Sequence, residues 1–177
     1  QFEREIREDM IVEFEANIRI LDADITENEA ARNRIGMLDS LNDDALLALD
    51  DSNISEQLVP YLLWAGFDPE IGSIQAFIEN GNVGAISDRQ LRLLLSRWSG
   101  LLVKNRRVNL RAVDFQHIAV QPLVARASSD QVWSSSERRE LRALLSYLLT
   151  LQGFVLDNQR KLREAATDIL TFLRDEH

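Results

Sequence analysis

The sequence predicts an all-α protein, an elongated antiparallel helical bundle of three long helices plus a short helical pair. Composition is the first reason: 177 residues hold only 7 Gly and 3 Pro, against abundant Leu, Ala, Arg and Glu, a balance that favours helix over strand or disorder. The second is that apolar residues recur every three or four positions over three long stretches. The third is Phe77-Ile-Glu-Asn-Gly-Asn-Val-Gly-Ala-Ile-Ser-Asp-Arg-Gln-Leu-Arg92, which reads as a helix end, a turn through two glycines, and the start of a long helix. A single domain over residues 1–177 is expected, because a chain of this length can bury about 70% of the surface that it exposes when unfolded.

The first helix is predicted from the stripe Phe2, Ile6, Met10, Phe14, Ile18, Leu21, Ile25, resumed at Ile35, Leu38 and Leu41. Gly36 falls inside it and costs up to ~1 kcal/mol relative to Ala, which leaves the end of the helix open. Asn42-Asp43-Asp44 breaks the pattern and starts a short helix through Leu49. Ser55 caps a segment from Glu56 to Trp64, with Leu58 where a full capping box has Glu or Gln and Pro60 about one turn in. Gly66 ends that segment. Asp68-Pro69 opens the next, whose buried face is Ile71, Ile74, Phe77 and Ile78 and whose stop is Asn80-Gly81.

Ser87-Asp-Arg-Gln90 has the form of a capping box before Leu91, Leu94, Leu95 and Trp98. The helix it starts is expected to continue through Leu101, Leu102, Val108, Val113 and Ile118 towards Leu123. Gly100 weakens it, and Pro122 should kink or end it, since the proline ring displaces the backbone of residue 118. Val83 to Ile86 is too short and too glycine-rich for a strand. After the serine-rich loop at Ser128-Ser129-Asp130, Ser134 and Glu137 can cap a last helix. Its stripe runs Leu141, Leu144, Leu145, Leu148, Leu151, Val155, Leu162, Ile169 and Phe172. Neither an internal repeat nor a low-complexity tract interrupts the chain.

A formal charge of −9 argues against a nucleic-acid partner, because phosphate recognition draws on a basic surface. The charge is unevenly placed. Residues 1 to 51 hold 15 acidic residues and 5 Arg, whereas residues 89 to 113 hold 7 basic residues and no acid. The basic set Arg89, Arg92, Arg97, Lys104, Arg106, Arg107, Arg111 has two explanations. It can pair with the acidic first helix, each pair contributing about 0–1 kcal/mol while helping to choose register. Alternatively, Lys104 to Arg111 forms a docking patch for anionic lipid headgroups or an acidic partner.

The absence of cysteine removes disulfides, thiolate metal sites and thiol catalysis. Asp114-x-x-His117 has the i, i+3 spacing of bundle di-iron sites, but such sites need two of these motifs and two more carboxylates. Asp43-Asp44 and Asp50-Asp51 lack the alternating ligands and central Gly of a calcium loop. Ser96, Ser99 and Ser146 have no histidine or nucleophile elbow near them in sequence. Gly81-x-x-Gly84 lacks the strand and lysine of a phosphate loop. No catalytic, cofactor-binding or metal residue is therefore assigned, no cofactor is expected, and the chain is expected not to be an enzyme. Trp64 and Trp98 fall on apolar stripes and are expected in the core; Trp133, in the serine-rich loop, is a candidate contact residue, and His177 is terminal.

No apolar run approaches the roughly 18–20 residues that cross a bilayer. The chain opens without Met inside a charged amphipathic pattern, Gln1-Phe-Glu-Arg-Glu-Ile, and is expected to be the soluble part of a longer, N-terminally anchored protein. Phe77-Ile-Glu-Asn-Gly-Asn-Val-Gly-Ala-Ile, Ser87-Asp-Arg-Gln-Leu-Arg92, Leu95 and Trp98 resemble a family of small bacterial single-pass membrane-anchored proteins of unknown function. In that family an acidic, aromatic helix is followed by a Ser-Gly-x-Leu-x-x-Ile turn, Asx-x-x-Leu-Arg and a Leu-rich helix. Glu5-Ile-Arg-Glu-Asp-Met-Ile-Val-Glu-Phe14 is similar to the acidic helix that follows the anchor there. Asn80 stands where Ser is usual, and Val83 where Leu is.

The resemblance implies a domain attached to the inner membrane and facing the periplasm, given an apolar span near a basic N-terminus. It implies no catalytic residues. The expected function is protein interaction, sensing or scaffolding, with a protein partner or a second copy of the chain (a homodimer), no nucleic acid, and membrane contact only through the anchor. A cytosolic helical adaptor binding an acidic partner through its basic helix face is the alternative. A metal-binding bundle enzyme using Asp114 and His117 is a third.

Overall fold

The amphipathic stripe beginning at residue 2 forms an uninterrupted α-helix, α1, Phe2–Asp39, of 38 residues. In the computed structural model the described residues are 2–42, 44–45, 48, 66–69, 72, 74, 86–127 and 134–175. They form three further α-helical pieces, α2 Arg89–Phe115, α3 Gln121–Ala127 and α4 Ser135–Asp175, with a π turn Gln116–Val120 joining α2 to α3. All regular structure among the described residues is helical, with no strand. The expected cap at Ser55, the Asn80-Gly81 stop, the stretch Phe77 to Ala85, Trp64, Trp133, the pair Asp50-Asp51 and His177 lie outside the described residues.

Helix α1 passes through Gly36, where a Cβ would make only an ordinary contact, 3.8 Å from Leu149 Cδ2. It closes with the Ser40 amide donating to the Gly36 carbonyl at 3.0 Å. Asn42 then accepts the Ala45 amide on its side-chain oxygen at 2.7 Å, and Ala48 donates to the Asp44 carbonyl at 2.9 Å, so the break and the new helical turn fall where Asn42-Asp43-Asp44 predicts them.

At the other caps the outcome divides. Ser134 and Glu137 form a full capping box: the Ser134 amide donates to the Glu137 carboxylate at 2.7 Å, and the Glu137 amide donates to Ser134 Oγ at 3.2 Å. At the start of α2 the capping residue is Asp88 rather than Ser87. Its carboxylate accepts the Leu91 amide at 2.9 Å, and its carbonyl accepts the Arg92 amide at 3.3 Å. The Ser87 carbonyl is instead held from behind by the Arg92 guanidinium at 3.1 Å, which moves the helix start one residue along.

Pro122 does not end its helix. A proline at 122 has no N–H to give the carbonyl of residue 118, and its ring would strike that carbonyl in a regular α-helix. The chain widens by one π turn just upstream, where the Gln121 amide reaches back to the Gln116 carbonyl, and the helical run continues to Ala127.

The chain divides into two compact units, one of residues 1–25, 66–106 and 157–177, the other of residues 26–65 and 107–156. In the first unit the core is Met10, Phe14 and Leu21 of α1, Leu95 and Trp98 of α2, Leu162, Ala166, Ile169 and Leu173 of α4, and Phe67 and Ile74. Trp98 stands edge-on to two rings, with centroids 5.3 Å from Phe14 and 6.3 Å from Phe67, so the residue expected in the core is its centre. Glu13 of α1 accepts the amides of Gly72 at 3.2 Å and Ile74 at 3.3 Å. A Cβ at 72 would lie 2.8 Å from the Glu13 carboxylate, so a larger residue there would displace the end of that side chain. In the second unit Ile35 and Leu38 of α1 pack with Val120, Leu123, Leu141, Leu145 and Leu148. There the Arg142 guanidinium donates to the Leu41 carbonyl, and Ser146 Oγ donates to Asp39 at 2.8 Å.

Gly100 and Gly153 lie within α2 and α4, and a Cβ at either would meet nothing within 4 Å. Gly100→Ala and Gly153→Ala should therefore each raise unfolding stability by about 0.5–1 kcal/mol, read as a higher urea midpoint at unchanged slope.

Candidate functional site

The segment that carries the basic excess is α2, and the Asp88 cap sets which way it faces. From that start, Leu95, Trp98, Asn105 and Ala112 fall on the buried side at spacings of three and seven, with Leu94, Leu101 and Leu102 packed beside them, and the residues opposite are turned outward. The fates of the basic side chains differ. Arg92 folds back onto the carbonyls of Ile86 and Ser87. Arg97 bridges two acids of α4, Asp168 at 3.0 Å and Glu164 at 3.2 Å. Arg89, Arg106, Arg107 and Arg111 are exposed and make no hydrogen bond or ion pair within the described residues. Lys104 is exposed too, near enough to Asp157 to help hold that carboxyl below its ordinary range, though the main cause there is the hydrogen bond from Lys161 at 2.7 Å.

The acid of α1 does not pair with this set. In the first unit Glu15 is bonded by Arg174 and Asp22 by Arg163, both from α4, while Arg7 donates to the Leu173 carbonyl at 2.8 Å. The hydrogen bond from Arg163 to Asp22 raises the guanidinium pKa further. The expected α1 to α2 pairing is thus replaced by α1 to α4 pairing. Glu15 and Asp22 flank the α1 stripe on the side where α4 presents its own arginines, whereas the unpaired cations of α2 lie on its outward side.

Apolar residues share that outward side. In the first unit Leu93 and Val103 are exposed; in the second, Leu110, Val113 and Ile118 are 58%, 41% and 78% exposed. On α4 in the second unit Tyr147 is half exposed, its ring centroid 4.4 Å from that of Phe115.

Asp114 and His117 are both exposed, and the π turn beginning at Gln116 takes His117 out of the regular α spacing that the pair requires. Among the described residues no three His, Asp or Glu side chains converge as a metal site would need. Ser96 Oγ bonds back to the Arg92 carbonyl at 2.8 Å, and Ser146 is engaged by Asp39. Asp44 is solvent-exposed at the start of its short helical turn.

What sequence reasoning missed is a set of buried amides. Asn158 of α4 donates to Asn105 of α2 at 3.2 Å, and Asn105 donates to the Phe67 carbonyl at 3.1 Å, a relay with every member buried. Their signal was available: Asn105 stands seven residues from both Trp98 and Ala112, and Asn158 stands between Val155 and Leu162, positions that the stripe reserves for apolar side chains. In the second unit Gln152 is 1% exposed, and neither polar atom of its amide has a partner among the described residues.

Compared with known protein families, curated proteins and solved structures, the chain finds no match in any of the three. No helix among the described residues is long and apolar enough to cross a membrane.

The two kinds of buried amide predict opposite mutational outcomes. Gln152→Leu removes an unmet polar group and should raise stability by about 1–3 kcal/mol. Asn158→Ala strands the Asn105 acceptor and should lower it by about 1–3 kcal/mol, with both effects read by chemical denaturation.

Proposed function

We propose that the chain is a non-enzymatic, extracytoplasmic helical domain of a bacterial membrane-anchored protein, acting by protein interaction. The observation that carries the interaction role is the outward side of α2, where exposed apolar residues stand beside Arg106, Arg107 and Arg111, which make no ion pair among the described residues. Leaving Leu110, Val113 and Ile118 in water forfeits burial that a partner would supply. The anchored, periplasm-facing setting is supported by the resemblance of Phe77 to Trp98 and Glu5 to Phe14 to small bacterial anchored proteins. Part of the same proposal is an antiparallel bundle in which, within the first unit, α4 runs opposite to both α1 and α2. Its support is that partners on α4 descend as residues on α1 and α2 ascend: Arg7 meets Leu173 and Asp22 meets Arg163, while Arg97 meets Glu164 and Asn105 meets Asn158.

The second reading is a cytosolic adaptor using the same face, favoured by the unpaired Arg106, Arg107 and Arg111. Self-association into a homodimer is a further form that the interaction role could take.

Two measurements in the native organism test the proposal. The full-length protein should sediment with the inner membrane and be cleaved by protease added to spheroplasts; recovery in the soluble cytosol would overturn the anchored setting and leave the adaptor. A photo-crosslinker at Leu110 should give discrete adducts that one at the exposed Val12 of α1 does not. Equal or absent adducts at both positions would overturn the interaction role.

A further inference from the structure

We infer that the outward face of α2 in the second unit takes a short acidic amphipathic helix from a protein partner, seated on Leu110 and Ile118 and held by Arg107 and Arg111. The inference deepens the interaction role proposed above and rests on it.

The π turn is what builds the seat. A π turn takes up about one residue more than an α turn, so side chains beyond it are rotated back. Ile118, at a spacing of eight from Leu110 and inside the turn, is thereby rotated part of the way back towards the line of Leu110 and Asp114, from which a regular helix would carry it further. Ile118, the most exposed large apolar residue among the described residues, thus lies nearer the apolar row of α2. Tyr147, against Phe115, adds an aromatic flank from α4.

Charge then selects the occupant. Arg107 and Arg111 are spaced i, i+4, where like charges repel, and neither makes an ion pair with a described acid, although Asp114 stands one turn beyond Arg111. An acidic side chain on each of two successive turns of a docked helix would answer both. Residues 107 to 118 run for roughly 17 Å, three turns, which fits a partner helix of ordinary length. A long polyanion or an anionic bilayer is disfavoured, because the chain carries a net charge of −9 and such a ligand would extend far beyond the ~8–10 Å over which the local cations dominate. Asp114, exposed between Leu110 and Ile118, limits the acidic part of the seat to its Arg107 end and thereby gives the docked helix a direction.

The claim concerns a class of ligand, so a defined member of it is the probe. We would titrate the chain against a fluorescein-labelled 14-residue helical peptide with Leu along one face and Glu along the other, following anisotropy at 50 and 300 mM salt. Saturable binding is expected, weakening at the higher salt. Binding should fall by about tenfold or more in Arg107→Glu/Arg111→Glu, and by a similar factor in Leu110→Ala/Ile118→Ala. All four positions are exposed, and unchanged circular dichroism would confirm that the variants fold. No saturable binding at 1 mM peptide, equal binding of a Lys-for-Glu peptide, or binding unchanged in the double reversal would overturn the inference. Binding to phosphatidylglycerol vesicles without binding to the peptide would overturn it in favour of a lipid surface. Crosslinks at Leu110 in cells together with no peptide binding would sink this inference while leaving the interaction role standing, so the two failures are separable.

Discussion

Helix α4 has to bury an apolar stripe along most of its 41 residues, and that requirement organises the rest. Its upper part, Leu141, Leu145 and Leu148, belongs to one core, and its lower part, Leu162, Ala166, Ile169 and Leu173, to the other. A helix of that length with one wet side is stable only if neighbours cover the dry side throughout. In the first unit α1 and α2 supply that cover, and in the second α1, the π turn and α3 do; the polar contacts follow from the same placement. The arginines at the edges of the α4 stripe reach the acids at the edge of α1, and the acids at its other edge reach Arg97. Surface pairs of this kind contribute little singly, about 0–1 kcal/mol, but they discriminate one register from another.

The buried amides sharpen that discrimination. An apolar stripe tolerates sliding by one turn, because Leu replaces Leu. The Asn158–Asn105–Phe67 relay does not, since a shift would leave three buried polar groups without partners. Gln152 is the counter-example, a buried amide that meets no partner among the described residues and so adds no register information.

How far the sequence was legible depends on the range of the interaction involved. The helical class, the Asn42 break and the Ser134–Glu137 box were all readable, because each rests on residues within a turn or two of one another, whereas Gly36 left the end of α1 open. The start of α2 was missed by one residue, since Ser87 and Asp88 are both good caps and the choice turned on where the Arg92 guanidinium went. Pro122 was correctly seen as incompatible with a regular helix, yet the remedy was a π turn rather than an end, because Val120 at the end of the turn and Leu123 beyond it have a core to enter. The pairing of charges was read wrongly because it depends on which edges of the stripes face each other, a property of packing that periodicity does not encode. The outward face of α2 was half visible: its arginines stood out as a run without acid, but the alignment of Ile118 with Leu110 depends on the π turn.

The contacts between α1 and the end of α4 join residues far apart in synthesis. Arg7 is held by the Leu173 carbonyl and Asp22 by Arg163, across 166 and 141 positions of chain. On a ribosome adding 5–20 residues per second, α1 emerges roughly 10–30 seconds before its covering helix does. For that interval Met10, Phe14 and Leu21 have no α4 to lie against, and a 38-residue helix with a bare apolar stripe is the kind of surface that holdase chaperones recognise. The first unit can close only once its last helix has left the exit tunnel.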